Sequence, residues 1–311
     1  MKKVIITVAA AFIVIAAAVA FKNVYSCEMP IKNRGIHNAI EQGDLSILFI
    51  GSSTFRANID MPSMDEAFGG RVYDISYGGN QLVATAIQYD EIRRRSDNDY
   101  GIIVFELGPM MLTEEVALSD SRVIWDLTWE GKRALWQSMY TAGNTDFPMM
   151  YEYFVTSGMD DLITFPVTEP FYSTRYYKGA KTDETGSPGK DVLEGEEFDI
   201  SDKTLVMAQA EAVKDIINKC RRDGQEFVFL ESPCYHRLQE DPVFIKYREE
   251  YIRILDENDA PYILATDVEF DSSDPDLFED MNHMSAEGRR AYTKELIKLF
   301  EERLNNKGDE K

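Results

Sequence analysis

A serine hydroxyl at the end of an apolar run, and a histidine with an aspartate three residues before it, are the side chains of this sequence best suited to acyl chemistry. The run Ile47 to Ile50 is unbroken and stops at Gly51-Ser52-Ser53, the pattern of a strand buried on both faces that ends in a tight turn. Ligands of open α/β sheets bind at the carboxyl ends of strands, which makes Ser53 a candidate nucleophile. Serine and glycine are also ordinary turn residues, so the turn alone does not decide the matter. Near the other terminus, Asp280-Met-Asn-His283 leads into the helical pattern Tyr292, Leu296, Leu299, Phe300. A serine needs a base to take its proton and an acid to hold that base in one tautomer, and Asp280 and His283 supply both from one local element.

The two ends together resemble the SGNH (GDSL-type) hydrolase superfamily, whose first block is a strand followed by Gly-x-Ser and whose last is Asp-x-x-His before the final helix. Asp74-Ile-Ser-Tyr-Gly-Gly79 is similar to the second block, and Gly101 to Met110 to the third. The resemblance implies a three-layer, flavodoxin-like α/β fold with a central parallel sheet. It implies Ser53 as nucleophile, His283 as proton shuttle, Asp280 as the group orienting the imidazole, and the amides of Ser53 and Gly79 as oxyanion donors, with Gly78 the donor if the turn is shifted by one. The third block usually reads Gly-x-Asn-Asp, and Met110 stands where its asparagine would be. A thioether cannot donate to an oxyanion, and losing one such donor can cost roughly 10²–10³ in turnover. Three readings follow: Asn80 substitutes as donor, the reaction uses a two-donor hole, or the protein has become a binder. DltD-like envelope acyl-transfer proteins resemble this chain in keeping Ser, Asp and His better than the middle blocks.

These residues need a scaffold, and the sequence alternates strand and helix. Strands are expected at Ser46 to Ile50, Val72 to Ile75, Gly101 to Leu107, Phe227 to Leu230 and Pro261 to Leu264, with helices at Gln81 to Arg95, Leu205 to Cys220, Val243 to Leu255 and after His283. That alternation is the signature of a parallel sheet covered on both faces. Regularity breaks over about 113–203, read as a lid-like insertion. Trp125, Trp129 and Trp136 fall near one stripe of an expected helix there, either as packing or as a face toward a membrane partner. Phe171 to Tyr177 continues the aromatic theme, and Gly179 to Glu197 reads as a mobile loop or hairpin. His236, beyond the Phe227 strand, is a candidate for the substrate cleft together with Gly78 and Met110. As a base for Cys234 it would point along the chain rather than at the thiol.

The chain divides into a membrane or signal segment at 1–22, a stalk at 23–44, the main domain at 45–305 and a polar tail at 306–311. Lys2-Lys3 precedes an uncharged run from Val4 to Phe21, about 27 Å of helix, close to a hydrocarbon core. The flanking lysines place the domain outside the cell membrane on a single-pass anchor, or secreted if cleavage follows Ala20. With 33 basic and 55 acidic residues the net charge is −22, which excludes a basic face for nucleic acid. Cys220 and Cys234 lie at opposite ends of a strand and read as free thiols. The three histidines are dispersed and the acidic clusters lack a calcium-loop pattern, so neither metal nor cofactor is expected. The leading expectation is an extracytoplasmic serine esterase or O-acyltransferase. Its substrate would be an acylated envelope glycan or a small acyl ester, and its partner a membrane-bound O-acyltransferase. The alternatives are a non-catalytic glycan- or partner-binding protein and a secreted ester hydrolase.

Overall fold

A computed structural model describes residues 2–28, 33–117, 120–156, 176–182 and 184–306. The strands are β1 (Leu45–Ile50), β2 (Val72–Asp74), β3 (Tyr100–Glu106), the hairpin pair β4 (Tyr176–Tyr177) and β5 (Ala180–Lys181), then β6 (Phe227–Leu230) and β7 (Tyr262–Ile263). Five of them form one sheet in the order β2-β1-β3-β6-β7, every neighbouring pair parallel. Apart from the hairpin this is the flavodoxin-like order, in which the chain reverses direction across the sheet between β1 and β3.

Successive strand residues feed two separate cores, which is why these strands read as unbroken apolar runs. Leu48, Ile50, Ile103, Phe105, Phe227 and Phe229 face one side; Ile47, Phe49, Ile102, Val104, Val228 and Leu230 face the other. Each such side chain is buried, contributing roughly 1.5–3 kcal/mol. The first side is covered by α2 (Gly35–Glu41), α5 (Leu82–Arg95), α6 (Ser121–Asp126), α7 (Trp129–Thr141) and α10 (Met207–Arg222). The second is covered by α3 (Ser53–Asn58), α4 (Met61–Ala67) and α13 (Ala286–Asn306), with Phe49, Phe55 and Phe300 meeting edge to face. At the β7 edge α12 (Pro242–Glu257) contributes Phe244 to one core and Tyr251 to the other. The three-layer α/β expectation therefore holds.

The expected tryptophan stripe divides. Leu127 is extended and Thr128 caps α7 through its side chain, so Trp125 lies on α6 and is buried, while Trp129 is exposed and Trp136 packs on Tyr153 and Phe154. Thr128 is the cause: its hydroxyl accepts from the Gly131 N–H and donates to Glu91, offering the backbone a cap rather than a continuous helix. The expected loop or hairpin at 179–197 contains β5 and the short helix α9 (Lys190–Gly195); Phe171 to Arg175 lie outside the described residues.

The N-terminal helix α1 (Lys2–Tyr25) is about 36 Å long at ~1.5 Å per residue. It is long and apolar enough to cross a membrane, with mean hydropathy 2.9. Among the described residues, its C-terminal end is fastened to the domain. Lys22 Nζ donates to the Val155 carbonyl at 3.2 Å, and Asn23 Nδ2 to that of Phe154 at 2.8 Å. The Lys132 ammonium, 1% exposed, donates to the Asn23 carbonyl at 2.8 Å and to Ser26 Oγ at 2.5 Å. Arg95 holds the Cys27 carbonyl at 2.8 Å. Further on, Ile36 and Ala39 of α2 are fully buried. Lys22 and Asn23, where the expected membrane segment meets the expected stalk, bond carbonyls of the domain rather than solvent and make a joint.

Candidate active site

Gly51 follows β1, and Ser52 caps α3 by accepting the Thr54 N–H at 3.3 Å, so Ser53 becomes the first helical residue. Its N–H belongs to the first turn, which has no carbonyl four residues back within the helix. The turn is tight for an identifiable reason. Glu106, ending β3, accepts the Ser52 N–H and, at 3.0 Å, the Ser52 hydroxyl. A Cβ on Gly51 would sit 2.6 Å from Glu106 Oε2, so glycine is required there. Burial raises the Glu106 carboxyl above its ordinary range, opposed by its bonds from Ser52.

The Asp280 block closes over this turn. Asp280 Oδ1 accepts the main-chain N–H groups of Asn282 and His283, each at 2.8 Å. Its Oδ2 lies 2.8 Å from His283 Nδ1, and His283 Nε2 lies 2.9 Å from Ser53 Oγ. Burial would raise the Asp280 carboxyl, but the hydrogen bond and charge of His283 outweigh it and hold the group below its ordinary range. Asn58, fully buried at the end of α3, donates to the Asn282 carbonyl at 3.0 Å and accepts the Met284 N–H at 2.8 Å. It therefore grips the chain on both sides of His283 from the helix that carries Ser53.

The second block is tied to the same turn. Gly51 O accepts from Tyr77 N at 3.2 Å and from Asn80 Nδ2 at 3.1 Å. Asp74, fully buried, accepts the Ser76 N–H at 2.8 Å, and burial pushes its carboxyl up to about 7. Gly79 takes φ +60°, the left-handed region that favours glycine.

A cavity of about 240 Å³ lies above these groups, with Ser53, Gly79, Met110, Cys234, Phe244 and His283 in its wall. The reading of Asn80 as an oxyanion donor does not fit. Its amide also reaches Gln88 Oε1 at 2.7 Å and Thr85 Oγ1 at 3.2 Å, and its main-chain N–H bonds Tyr77 O at 3.1 Å. Asn80 instead braces the carbonyl of Gly51. Gly78 is outside the cavity wall, packed toward Arg56 and Asp120. His236 is outside it too: it opens α11 (His236–Gln239), and its ring lies 3.3 Å from Glu194 and 3.5 Å from Glu240. Beyond Glu114, no described residue of the 113–203 insertion lines the cavity. Of the described helices of that segment, α6 and α7 cover the sheet face that α2 and α5 share, and α9 packs through Leu193 into the opposite core.

All three cysteines are buried and free, and burial drives the Cys234 thiol far up, away from thiolate chemistry. No His/Cys/Asp/Glu group among the described residues could hold a metal. Sequence reasoning passed over Glu106 and Asn58. A carboxylate ending an apolar strand was a visible signal for Glu106. Asn58 carried none, because its partners lie more than two hundred residues away.

No family model and no curated protein matches the chain. Among solved structures it is similar to a putative acylhydrolase from Bacteroides fragilis NCTC 9343, at 8% identity and TM-score 0.41, covering 86% of this chain and 95% of that one. It is also similar to the acetyl xylan esterase AlAXEase, at 10% identity and TM-score 0.39, covering 80% and 96%. A catalytic mutant of an acetylxylan esterase from Geobacillus stearothermophilus gives 12% identity and TM-score 0.37, covering 83% and 95%.

Proposed function

We propose that this protein is a serine esterase or O-acyltransferase working through an acyl-enzyme. Its substrate is an acylated envelope glycan or a related acyl ester outside the cell membrane. The observation that carries this reading is the hydrogen-bonded series Ser53 Oγ, His283 Nε2, His283 Nδ1, Asp280 Oδ2, at 2.9 and 2.8 Å. Ser53 Oγ attacks the ester carbonyl as its proton passes to His283 Nε2, forming the carbon–oxygen bond and a tetrahedral oxyanion held by the Ser53 and Gly79 amides. Collapse breaks the bond to the alcohol, which leaves with the proton from His283. Water, or a sugar hydroxyl in transfer, then attacks the acyl-Ser53 by the same steps in reverse. The cavity is small, which favours a short acyl group. Tethering through α1 favours transfer beside a membrane-bound O-acyltransferase, as in DltD-like proteins, because it raises effective concentration.

Met110 in the cavity wall, unable to donate, favours one second reading: a glycan- or partner-binding protein on the same scaffold. A fluorophosphonate probe separates the two. Labelling of the wild-type chain and its loss in Ser53→Ala is the result expected of an acyl-transfer enzyme, whereas a binder remains unlabelled in both.

A further inference from the structure

We infer that the exposed apolar side chains of α8 (Phe147–Tyr151) form a foot that seats in the headgroup layer of the membrane carrying α1. Phe147 is 74% exposed, Tyr151 52% and Met150 40%, on one five-residue helix. That helix runs without a break into the wider turn Glu152–Thr156, and it is there that α1 is fastened, through Asn23 to Phe154 and Lys22 to Val155. Tyr151 is thus three residues, about 5 Å of helix, from the grip on α1.

Depth follows from the same contacts. Lys22 and Asn23 come directly after the apolar residues Val4 to Phe21, so whatever is fastened to them lies at the boundary between hydrocarbon and headgroups. Phe21 and Tyr25, exposed and 4.9 Å apart between ring centroids, mark the same level on α1. Aromatic side chains concentrate at that boundary, where an apolar ring meets water. The foot cannot swing away, because Trp136 packs on both Tyr153 and Phe154 and the Tyr153 hydroxyl donates to the Lys132 carbonyl. Its chemistry selects the lipid. Asp146 and Glu152 flank it and no lysine or arginine lies between Asp146 and Thr156, so it fits zwitterionic headgroups rather than anionic ones.

The inference rests on α1 being inserted, and the test reads the two separately. The full chain is placed in phosphatidylcholine nanodiscs with an environment-sensitive fluorophore on Ile13→Cys, Phe147→Cys or, as a solvent control on α12, Ile245→Cys; the native thiols are buried. A nitroxide carried near the lipid headgroup should cut emission about twofold at 147, as for a group seated about 5–10 Å into the interface, and leave 245 unchanged. A label at 13 shielded from aqueous quencher while 147 is untouched by the lipid nitroxide overturns the foot and leaves the anchor standing. Loss of both signals overturns anchor and foot together. A change at 147 that follows protein density rather than the lipid nitroxide assigns the face to a second copy and also overturns it.

Discussion

The imidazole of His283 has a carboxylate on one nitrogen and a hydroxyl on the other, and each contact sets a separate expectation. Asp280→Asn should lower kcat by roughly 10⁴ by favouring the wrong tautomer, with the fold intact by circular dichroism. The Asp280 carboxyl is held low by His283, so the support it gives is complete above its unfolded value. That support is lost as pH falls through the depressed folded value. Activity measured with a short p-nitrophenyl ester should therefore fall in acid once the Asp280 charge that orients the imidazole is neutralised. Asn58→Ala leaves the buried Met284 N–H without its partner, costing about 1–3 kcal/mol. It should also lower kcat by up to roughly 10² through misplacement of His283, with KM little changed in steady-state kinetics. Glu106 titrates above an ordinary glutamate, so the native state holds its proton more tightly than the unfolded chain. Stability from this group is complete below the unfolded value and lost as pH rises through the raised one. The Tm of Glu106→Gln relative to wild type should therefore increase as pH rises above the ordinary glutamate value. At this scale the sequence made Ser53, Asp280 and His283 readable because each stands in a short local pattern. Asn58 and the committed amide of Asn80 were not readable, because hydrogen-bond partners are decided by tertiary approach.

Among the elements, strands were the most legible. β1, β3 and β6 are buried on both faces, and a run with no polar interruption has few other places to be. Short helices were hidden: α3 begins where only a turn was expected and α4 lies where no helix was expected, and six or seven residues carry too little periodicity to announce themselves. The hairpin β4–β5 was half seen, yet its attachment is specific. Lys178 donates through Nζ to Asp65 at 2.8 Å, and its carbonyl accepts the Asp74 N–H at 2.9 Å. Gly179 has φ +94°, with a built Cβ only 1.6 Å from the Asp74 carbonyl oxygen. Gly179→Ala should cost more than about 2 kcal/mol in urea unfolding, since both backbone conformation and space are denied.

At the scale of the whole molecule, charge and anchorage pull in different directions. A net charge of −22 should keep the domain from adhering to anionic bilayers. A form lacking the apolar helix should therefore fail to co-sediment with phosphatidylserine vesicles at low salt, where attraction would be strongest. On the reading proposed above, holding the chain at a membrane would be left to α1 and its joint. The joint was illegible in sequence because Lys132 looks like any other surface lysine. Buried against Asn23 and Ser26, it turns what would have been a tether into a bracket. A domain on a flexible leash sweeps a hemisphere and can search for its substrate. On the function proposed above, one bolted to its post would keep the mouth of the cavity at a single height and bearing, so an acylated glycan would have to be threaded past it, and the spacing between bilayer and glycan would become part of its selectivity.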